Sequence, residues 1–287
     1  MKRLLVFVVV TAVGMVAAWA QRSDVNGDGI INSADVVCVY NDIINGEASG
    51  VADMEFTVNG VTFTMIGVEG GTFLMGCTSE QEPTSEDVDN FPIHNVTLSD
   101  YHIGQTEVTQ ALWQAVMGGN PSWFKGDNLP VDQVSWNDCQ QFIAKLNILT
   151  GKQFRLPTEA EWEYACRGGN KSHGYKYSGS NNVDDVAWHK GNCDNTTHRV
   201  ATKQPNELGI FDMSGNVYEW CQDWYGDYSA NNQTNPTGPD KGVYRIRRGG
   251  CWYSSYNKVR DCRSSYRSNF TASFNNYFNG FRLALTI

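Results

Sequence analysis

Hydrophobic and polar positions alternate without a steady period along most of this chain, and only a few stretches indicate regular elements. Residues 63–68 and 71–76 favour two short strands around a turn. Residues 109–117 and 135–149 space their apolar side chains as helices do, and a serine precedes the second as a suitable N-cap. Beyond residue 155 the pattern predicts mainly loops and short strands. We therefore predict an irregular α+β domain with little regular secondary structure.

The first twenty residues have the pattern of an export signal. A basic pair follows the initial methionine, residues 4–18 are almost wholly apolar, and residues 18–20 place small side chains at both key cleavage positions. The apolar run is short for a membrane span, so we expect cleavage after Ala20 rather than an uncleaved anchor. Gln21 follows in place of a cysteine, which argues against a lipoprotein anchor there. We expect an exported protein (periplasmic, cell-surface or extracellular) with no later transmembrane span.

Residues 21–50 are predicted to form a separate small module around a loop rich in oxygen side chains, with a helix over 34–44. Calcium prefers six or more oxygen ligands, and this loop spaces them as an EF-hand does, with a glycine where the chain turns. An aspartate at position 12 resembles the dockerin version, although only one loop is present. We expect a calcium-stabilised spacer, with weak docking to a cohesin-like partner as the alternative. The predicted ligands are Asp24, Asn26, Asp28, Ile30 through its carbonyl, Asn32 and Asp35.

The net charge limits which partners the chain could bind, and the spacing of the cysteines limits their chemistry. The chain has 22 Lys and Arg against 31 Asp and Glu, a net charge of -9, which gives no general attraction to nucleic acid or anionic membranes. None of its eight cysteines lies in a CxxC pair, so no zinc site is indicated. In an oxidising compartment some should form disulfides and others should stay as buried thiols. We expect Cys221 to pair with Cys262.

A series of motifs in a fixed order runs through the main domain. These motifs are Gly71-Thr-Phe-Leu-Met-Gly76, Thr106-Glu-Val-Thr109, Leu129-Pro-Val131, Val134-Ser-Trp-Asn137, Arg155-Leu-Pro-Thr-Glu-Ala-Glu-Trp-Glu-Tyr-Ala165, Arg167-Gly-Gly169, Ser214-Gly-Asn-Val-Tyr-Glu-Trp220, Arg248-Gly-Gly250 and Gly280-Phe-Arg-Leu283. The series resembles the sulfatase-modifying-factor, or formylglycine-generating-enzyme-like, family over residues 56–287. The resemblance implies an elaborated C-type-lectin-like α+β fold.

The motif over residues 155–165 also has a structural interpretation. Pro157 fits the first turn of a helix, and the three glutamates after it favour the N-terminal half. Trp162, Tyr164 and Ala165 would form the buried side. We therefore expect these glutamates to serve structure rather than catalysis.

The resemblance further implies a structural calcium ion held by the segment 212–219. In the family, side chains matching Asp212 and Glu219 coordinate the ion, together with carbonyls matching Gly215 and Val217. Carboxylates are hard oxygen donors of the kind that calcium prefers. The ion would hold an irregular loop in place rather than take part in a reaction.

Catalytic members of the family use two cysteines that hold copper, four and nine residues beyond the second glycine of the Arg-Gly-Gly motif. Here these positions are Ser254 and Val259, and Cys251 stands where the family has serine. A hydroxyl cannot replace a thiolate for Cu(I), and valine offers no ligand. We therefore expect neither copper nor formylglycine generation. Two of the five histidines, His189 and His198, are expected in solvated loops.

The segment 251–279 differs from the rest in composition: eight aromatic residues, six Ser and five Asn make up 19 of its 29 residues. The aromatic positions follow no period of a core strand or helix. Aromatic side chains give rigid contact area, and Ser and Asn give adaptable hydrogen bonds. Residues 251–287 include five positive side chains and one aspartate, which gives a local charge of +4. The expected ligand-binding residues are Trp252, Tyr253, Ser254, Tyr256, Asn257, Tyr266, Asn269, Phe270, Phe274, Asn275, Tyr277 and Phe278.

This segment also resembles the variable region of diversity-generating-retroelement target proteins, several of which use this domain. In such proteins adenines of Asn-type codons are rewritten to give Tyr, Ser or Phe. An ordinary aromatic loop bundle in a non-catalytic relative is the alternative, and codons would decide between them. We expect an exported, non-catalytic recognition protein with a protein or glycan ligand. The alternatives are a copper-dependent oxidase acting on sulfatase cysteines and a structural component of the cell envelope.

Overall fold

A computed structural model describes the backbone of residues 50–254 and 256–287 and the side chains of residues 50–254 and 259–287. Residues Val51–Ile287 form one compact unit. The predicted signal peptide, the predicted calcium loop over 24–35 and Cys38 lie outside the described residues, as do the side chains of Tyr256 and Asn257. No helix in the described part of the chain is long and apolar enough to cross a bilayer.

The largest sheet contains five strands, all paired in antiparallel fashion. A two-residue turn joins the first pair, where Asn59 and Gly60 have φ values of 49° and 83°. Asn-Gly favours such a turn because both positions need positive φ. The strands in spatial order are β1 (Met54–Val58), β2 (Val61–Val68), β5 (Tyr101–Gly104), β14 (Ala284–Thr286) and β6 (Phe154–Arg155).

Three smaller sheets complete the strand structure of the described residues. The three-stranded sheet has the order β10 (Gln233–Thr234), β4 (His94–Leu98) and β3 (Gly71–Met75). The four-stranded sheet has the order β12 (Ser268–Phe270), β11 (Arg245–Arg248), β9 (Tyr218–Trp224) and β13 (Asn279–Gly280). The two-stranded sheet pairs β7 (Ala187–Trp188) with β8 (Ser214–Gly215). Two strands of the four-stranded sheet belong to the segment 251–280.

Two helices form where the sequence predicts them. Helix α1 (Gln110–Met117) is capped by Thr109, and α2 (Trp136–Thr150) begins with a capping box between Ser135 and Asp138. These side chains bind backbone N–H groups that have no partner within the helix. Both helices end at a glycine with positive φ. The α+β class with few helices is confirmed.

Helix α3 (Glu159–Cys166) is shorter than expected at its start. Thr158 is its N-cap, so Pro157 precedes the helix instead of lying in its first turn. The Thr158 side chain accepts a hydrogen bond from the backbone of Glu161, whose carboxylate accepts one from the backbone of Thr158. A threonine cap therefore starts the helix rather than the proline. A fourth short helix, α4, spans Val183–Val186.

Aromatic side chains fill two main hydrophobic clusters. In the first, Trp113 stacks on Phe142 with ring centres 5.1 Å apart, and the Trp220 indole donates to the Val134 carbonyl. The second is built around Trp162, which is fully buried. Their rings form the core between the sheets and helices.

The seven cysteines of the described residues are buried and free, so the predicted Cys221–Cys262 disulfide is wrong. Cys221 lies on β9 among the apolar side chains around Trp162. Cys262 belongs to a separate small cluster with Tyr177 and Val186. The two thiols serve as small apolar groups in different parts of the core.

Candidate functional site

Six rings of the segment 251–279 form a continuous chain of contacts. Phe270 stacks on Phe274 with ring centres 3.7 Å apart and planes 18° apart, and Phe278 follows 6.5 Å from Phe274. Tyr277 lies 5.5 Å from Phe278 and 5.7 Å from Trp252. Tyr253 ends the chain, 5.4 Å from Trp252. We call this set the aromatic surface: Trp252, Tyr253, Phe270, Phe274, Tyr277 and Phe278.

Half of the aromatic surface is open to solvent. Tyr253, Phe270 and Tyr277 are exposed by 49%, 37% and 38%. Phe274 and Phe278 are half-buried. Large apolar side chains are normally buried, and a contiguous exposed group of them marks an interaction site. The predicted contact residues at these positions therefore lie together and reach solvent.

Two predicted contact residues are buried below the exposed rings. Trp252 is buried, donates from its indole to the Tyr277 carbonyl at 3.1 Å, and packs edge to face against Phe124. Ser254 is also buried, and its hydroxyl accepts a hydrogen bond from the backbone of Cys251. Both residues are positioned to support the exposed rings, and their contact with a ligand stays a prediction.

The remaining predicted contact residues are less uniform. Asn275 is exposed, whereas Tyr266 and Asn269 are half-buried. Asn269 lies on β12 opposite Ile246. Within the described part of the chain, Tyr266 makes no ring-to-ring contact with the aromatic surface, although the Arg260 guanidinium lies 6.0 Å from its ring.

Three residues distant in sequence extend the aromatic surface. Trp123 is 66% exposed, and its ring lies 6.5 Å from that of Tyr277. The Lys190 ammonium lies 4.0 Å above the Tyr253 ring, and Phe124 supports Trp252 from below. Sequence reasoning missed all three. An isolated Trp-Phe pair in the polar loop 118–128 was the available signal for two of them.

The loop that carries Trp123 is tied down by a buried carboxylate. Asp132 accepts a hydrogen bond from the Trp123 backbone at 2.7 Å, and the Ser122 hydroxyl accepts one from the backbone of Asp132. Burial raises the pKa of Asp132 to about 6. These bonds fix the exposed indole relative to the core.

The local positive charge predicted for the C-terminal segment is neutralised within the domain. Each of four arginines pairs with a carboxylate from elsewhere in the chain, and the closest approach of Arg267 to Glu159 is 2.7 Å. The local charge of +4 counted from the sequence is therefore largely balanced at these positions. The pairs are Arg260 with Glu86, Arg263 with Asp87, Arg267 with Glu159 and Arg282 with Glu219.

Each of the three glutamates of α3 binds an arginine. Arg248 is fully buried and binds Glu163, while Arg155 binds Glu161 at 2.6 Å. Trp162, Tyr164 and Ala165 are buried as expected. The structural interpretation of this motif agrees with these contacts, which leave the three carboxylates occupied by arginines.

The residues predicted to hold calcium in the main domain lie around a buried ion pair. Both Glu219 oxygens are bound by Arg282, and one also accepts from the Trp162 indole. Asp212 accepts from the Ala201 backbone, and the backbone N–H of Val217 donates to Glu107. Burial and the neighbouring carboxylates of Asp212 and Glu219 raise the pKa of Glu107.

The excess of carboxylates in this cluster would favour a bound cation, but the present contact between Glu219 and Arg282 would have to change to coordinate one. Three buried carboxylates, Glu107, Asp212 and Glu219, lie near one buried guanidinium, so negative charge is in excess. Glu219 would have to release part of its contact with Arg282 to coordinate an ion. Among the described residues no three His, Cys, Asp or Glu side chains are grouped closely enough to share a metal. Calcium held by Asp212, Gly215, Val217 and Glu219 stays a prediction.

Ser254 and Val259, which we predicted to match the catalytic cysteines, carry no thiol. Ser254 is buried, and Val259 lies half-buried in a 3-10 helix. Burial raises the pKa of the nearby Cys251 thiol to about 11 and that of Cys262 in the same direction. At neutral pH both are therefore thiols, whereas metal binding and nucleophilic attack need a thiolate.

Two histidines expected in solvated loops are packed instead. His189 is buried, and its Nε2 lies 2.8 Å from Asp184. His198 is half-buried and stacks on Trp188, with ring centres 3.7 Å apart. Both histidines thus serve to hold loops together.

Comparison with known proteins identifies relatives of this domain. The family model described as "Sulfatase-modifying factor enzyme 1-like domain" matches residues 53–287. The chaperone protein LppX of Paenibacillus barcinonensis is 35% identical over 263 residues, which cover 74% of this chain and 86% of that protein. The formylglycine-generating enzyme of Streptomyces coelicolor is 29% identical over 282 residues, covering 75% and 87% of the two chains. The solved structure of Treponema denticola variable protein 1 is similar with a TM-score of 0.74 and 34% identity, covering 82% of this chain and 99% of that one.

Proposed function

This chain belongs to the family of sulfatase-modifying factor enzyme 1-like domains, and from that premise we propose that it is an exported, non-catalytic recognition protein. Its fold is the irregular C-type-lectin-like α+β fold of that family. The aromatic surface would contact a protein or glycan ligand. The observation that carries the proposal is the exposure of three linked rings, Tyr253, Phe270 and Tyr277, on a rigid base.

The base holds the aromatic surface at both ends. On the N-terminal side of the segment 251–279, β11 pairs with β9. At its C-terminal end, β13 also pairs with β9, and β14 then pairs with β5 and β6 in the five-stranded sheet. Trp252 and the buried arginine pairs fix the segment between these strands. Exposed side chains on such a base can be exchanged while the backbone is retained, as a variable binding surface requires. The similarity to a protein called variable protein 1 agrees with this proposal.

The chemistry of the catalytic positions supports a non-catalytic role. Ser254 and Val259 stand where the enzymes of the family have their copper-binding cysteines, and neither offers the soft ligand that Cu(I) prefers. Export is proposed from the predicted signal over residues 1–20. The predicted N-terminal calcium loop would then act as a spacer, for which a cohesin-like partner is an alternative use.

Ligand selection with paired variants tests the proposal. The purified chain is screened against arrays of extracellular proteins and glycans. Any ligand found should lose binding to a chain in which Tyr253, Phe270 and Tyr277 are all changed to Ser. A matched variant changes three apolar residues exposed elsewhere, Leu74, Ile148 and Val243, to Ser and should bind normally. Equal loss in both variants, or in neither, would argue against the aromatic surface as the binding site.

The diversified origin of the segment has its own test in DNA. The gene region should contain a near-copy of the sequence encoding residues 251–279 that differs at adenines, together with a reverse transcriptase gene. Without them the aromatic surface is an ordinary fixed binding site.

The similarity to formylglycine-generating enzymes makes a copper-dependent oxidase the second candidate. Purified protein supplied with copper and a sulfatase-type cysteine peptide should give no aldehyde product by mass spectrometry. Enzyme-like turnover would reverse the functional assignment.

A further inference from the structure

Arg247 lies directly beneath the aromatic surface. It is 7% exposed, and its guanidinium carbon lies 4.8 Å from the Phe270 ring centre, 5.5 Å from Phe278 and 4.3 Å from Tyr218. Ring faces attract a cation, so these three contacts offset part of the cost of burying the charge. The guanidinium is thus held at the base of the rings that we assign to ligand binding.

Arg247 differs from the other buried arginines in its partners. Arg248, Arg263, Arg267 and Arg282 each bind a carboxylate within 4 Å, whereas none lies within that distance of Arg247 among the described residues. Its neutral partners are the Ser268 hydroxyl at 3.0 Å and the Asn279 carbonyl oxygen at 2.7 Å. Burial lowers the pKa of Arg247, whereas a nearby glutamate raises that of Arg248, Arg267 and Arg282. A buried charge without an ionic partner is costly.

Two donors at this place have no acceptor in the described part of the chain. The bonds to Ser268 and Asn279 use Nε and Nη1 of Arg247, which leaves Nη2 without a protein acceptor. The side-chain amide nitrogen of Asn279, a fully buried residue, also lacks a partner. A buried donor is normally satisfied, and the Asn279 amide nitrogen left open costs free energy. An anion could accept from both, since Asn279 is already bonded to the same guanidinium.

The rings around Arg247 suit an anion approaching from solvent. Phe270 and Phe274 stack at 3.7 Å, so each covers one face of the other, and the Arg247 guanidinium lies 4.8 Å over the Phe270 ring. Ring edges carry the positive part of the aromatic quadrupole, which favours a negative group, and these contacts leave less open face on which a sugar could lie. The geometry therefore favours a protein side chain over a glycan.

We infer that Arg247 receives an aspartate or glutamate side chain of a protein ligand, whose carboxylate would enter at the edges of Phe270 and Phe278. This inference rests on the proposed recognition function and specifies its ligand as a protein with an acidic contact residue. The carboxylate accepts charge-assisted hydrogen bonds from Nη2 of Arg247 and the Asn279 amide. Phe270 and Tyr277 then cover the aliphatic part of the acidic residue and its neighbours.

Small probes that differ in one group test this inference. Benzoate carries a ring and a carboxylate, benzamide is its neutral isostere, and phenyl phosphate carries a larger anion. In a titration followed by NMR, benzoate should shift the Nε–Hε signal of Arg247 and bind at least about tenfold more tightly than benzamide. Equal binding of benzoate and benzamide, or no shift at Arg247, would overturn the inference. A clear preference for phenyl phosphate would overturn it in favour of a phosphorylated ligand.

Variants separate recognition from structure. Arg247→Gln should reduce benzoate affinity to the level of benzamide, and Arg247→Lys should fall between because it keeps the charge but loses the planar fork. Arg245→Gln is the matched control, since the Arg245 guanidinium lies over the rings of Trp136 and Trp224 and, among the described residues, over no ring of the aromatic surface. Benzoate binding by Arg247→Gln at the normal level would contradict the inference. If that variant fails to fold, the Lys variant and the NMR shift decide.

The inference can fail while the proposed function stands. In that case benzoate and benzamide bind equally well, and both are lost when Tyr253, Phe270 and Tyr277 are changed to Ser. If neither probe responds to that triple change, the aromatic surface itself is not the binding site.

Discussion

Arg282 binds both carboxylate oxygens of Glu219 at 2.6 Å, and both side chains are fully buried. Glu219 lies on β9 of the four-stranded sheet, and Arg282 lies just before β14 of the five-stranded sheet. The pair therefore joins two sheets through the interior of the domain.

Removing one member of this pair should destabilise the domain strongly. Glu219→Gln removes the carboxylate that binds the buried Arg282 guanidinium directly, and we expect a loss of about 3–5 kcal/mol in the free energy of unfolding. Urea denaturation measures it. The matched control is Glu86→Gln, since Glu86 is exposed where it meets Arg260 and should contribute less than about 1 kcal/mol. Similar losses in the two variants would contradict this prediction.

Calcium in the main domain should raise its melting temperature, because an ion that binds only the folded form stabilises it. A chelator should therefore lower the melting temperature of the purified protein. Asp212→Asn should remove most of this response, whereas Asp24→Asn, in the predicted N-terminal loop, should leave it in place. A metal-free sample whose melting is unaffected by calcium or chelator would remove the site.

The aromatic surface and its support should respond differently to truncation. Tyr277→Ser changes an exposed ring, and we expect only a small change in melting temperature. Trp252→Ala removes a buried ring that contacts Phe124 and Tyr277, and it should cost about 3–5 kcal/mol. Thermal and urea unfolding measure both. A large loss for Tyr277→Ser would mean that this ring is part of the core.

Asp223 should make the domain less stable as pH rises. Burial and the neighbouring Glu159 carboxylate raise the pKa of Asp223 to about 8. The folded chain therefore holds a proton that the unfolded chain releases above about pH 4, and the free energy of unfolding falls between about pH 4 and pH 8. Asp223→Asn keeps an acceptor for the Glu159 backbone N–H and removes the titration. Urea unfolding at pH 5 and pH 8 should show a smaller decrease in the variant. Parallel pH profiles would exclude Asp223 as the cause.

The buried thiols should be unreactive in the folded protein. The pKa of Cys251 is about 11, and the other described cysteines are buried as well. Iodoacetamide at pH 8 should label them only after unfolding in urea, and non-reducing peptide maps should show no link between Cys221 and Cys262. Rapid native labelling of Cys251, with the unfolded protein as the reference, would reverse the assignment of this thiol as inert.

Local signals in the sequence were sufficient for the helices. Ser135 and Thr109 start α2 and α1 because a cap depends on residues within one turn. The same kind of signal led to the wrong prediction that Pro157 lies in the first turn of α3. Proline and threonine both favour a helix start, and only the hydrogen bonds of the fold show that Thr158 is the N-cap. Strand positions at 63–68 and 71–76 were also found, but their order in the sheets depends on partners far along the chain.

The composition located the candidate site in the chain but did not show which of its residues are exposed and which are buried. Tyr253 and Trp252 are neighbours of similar character, yet one is exposed and the other is buried against Phe124, more than a hundred positions earlier. The arginines behind the local charge of +4 are likewise paired with carboxylates far along the chain, as Arg267 is with Glu159. Such pairings are set by the fold, so neither propensity nor spacing reveals them.

The position of β14 makes folding of the domain depend on complete translation of the segment that precedes this strand. This strand lies between β5 and β6 in the five-stranded sheet, and it is made after the aromatic surface has been synthesised. A frameshift or stop codon within residues 251–279 would remove β14 and Arg282 together, leaving β5 and β6 without the strand between them and Glu219 without its arginine. We therefore expect truncated molecules to be strongly destabilised, so that a stable product requires translation in frame through the whole segment 251–279.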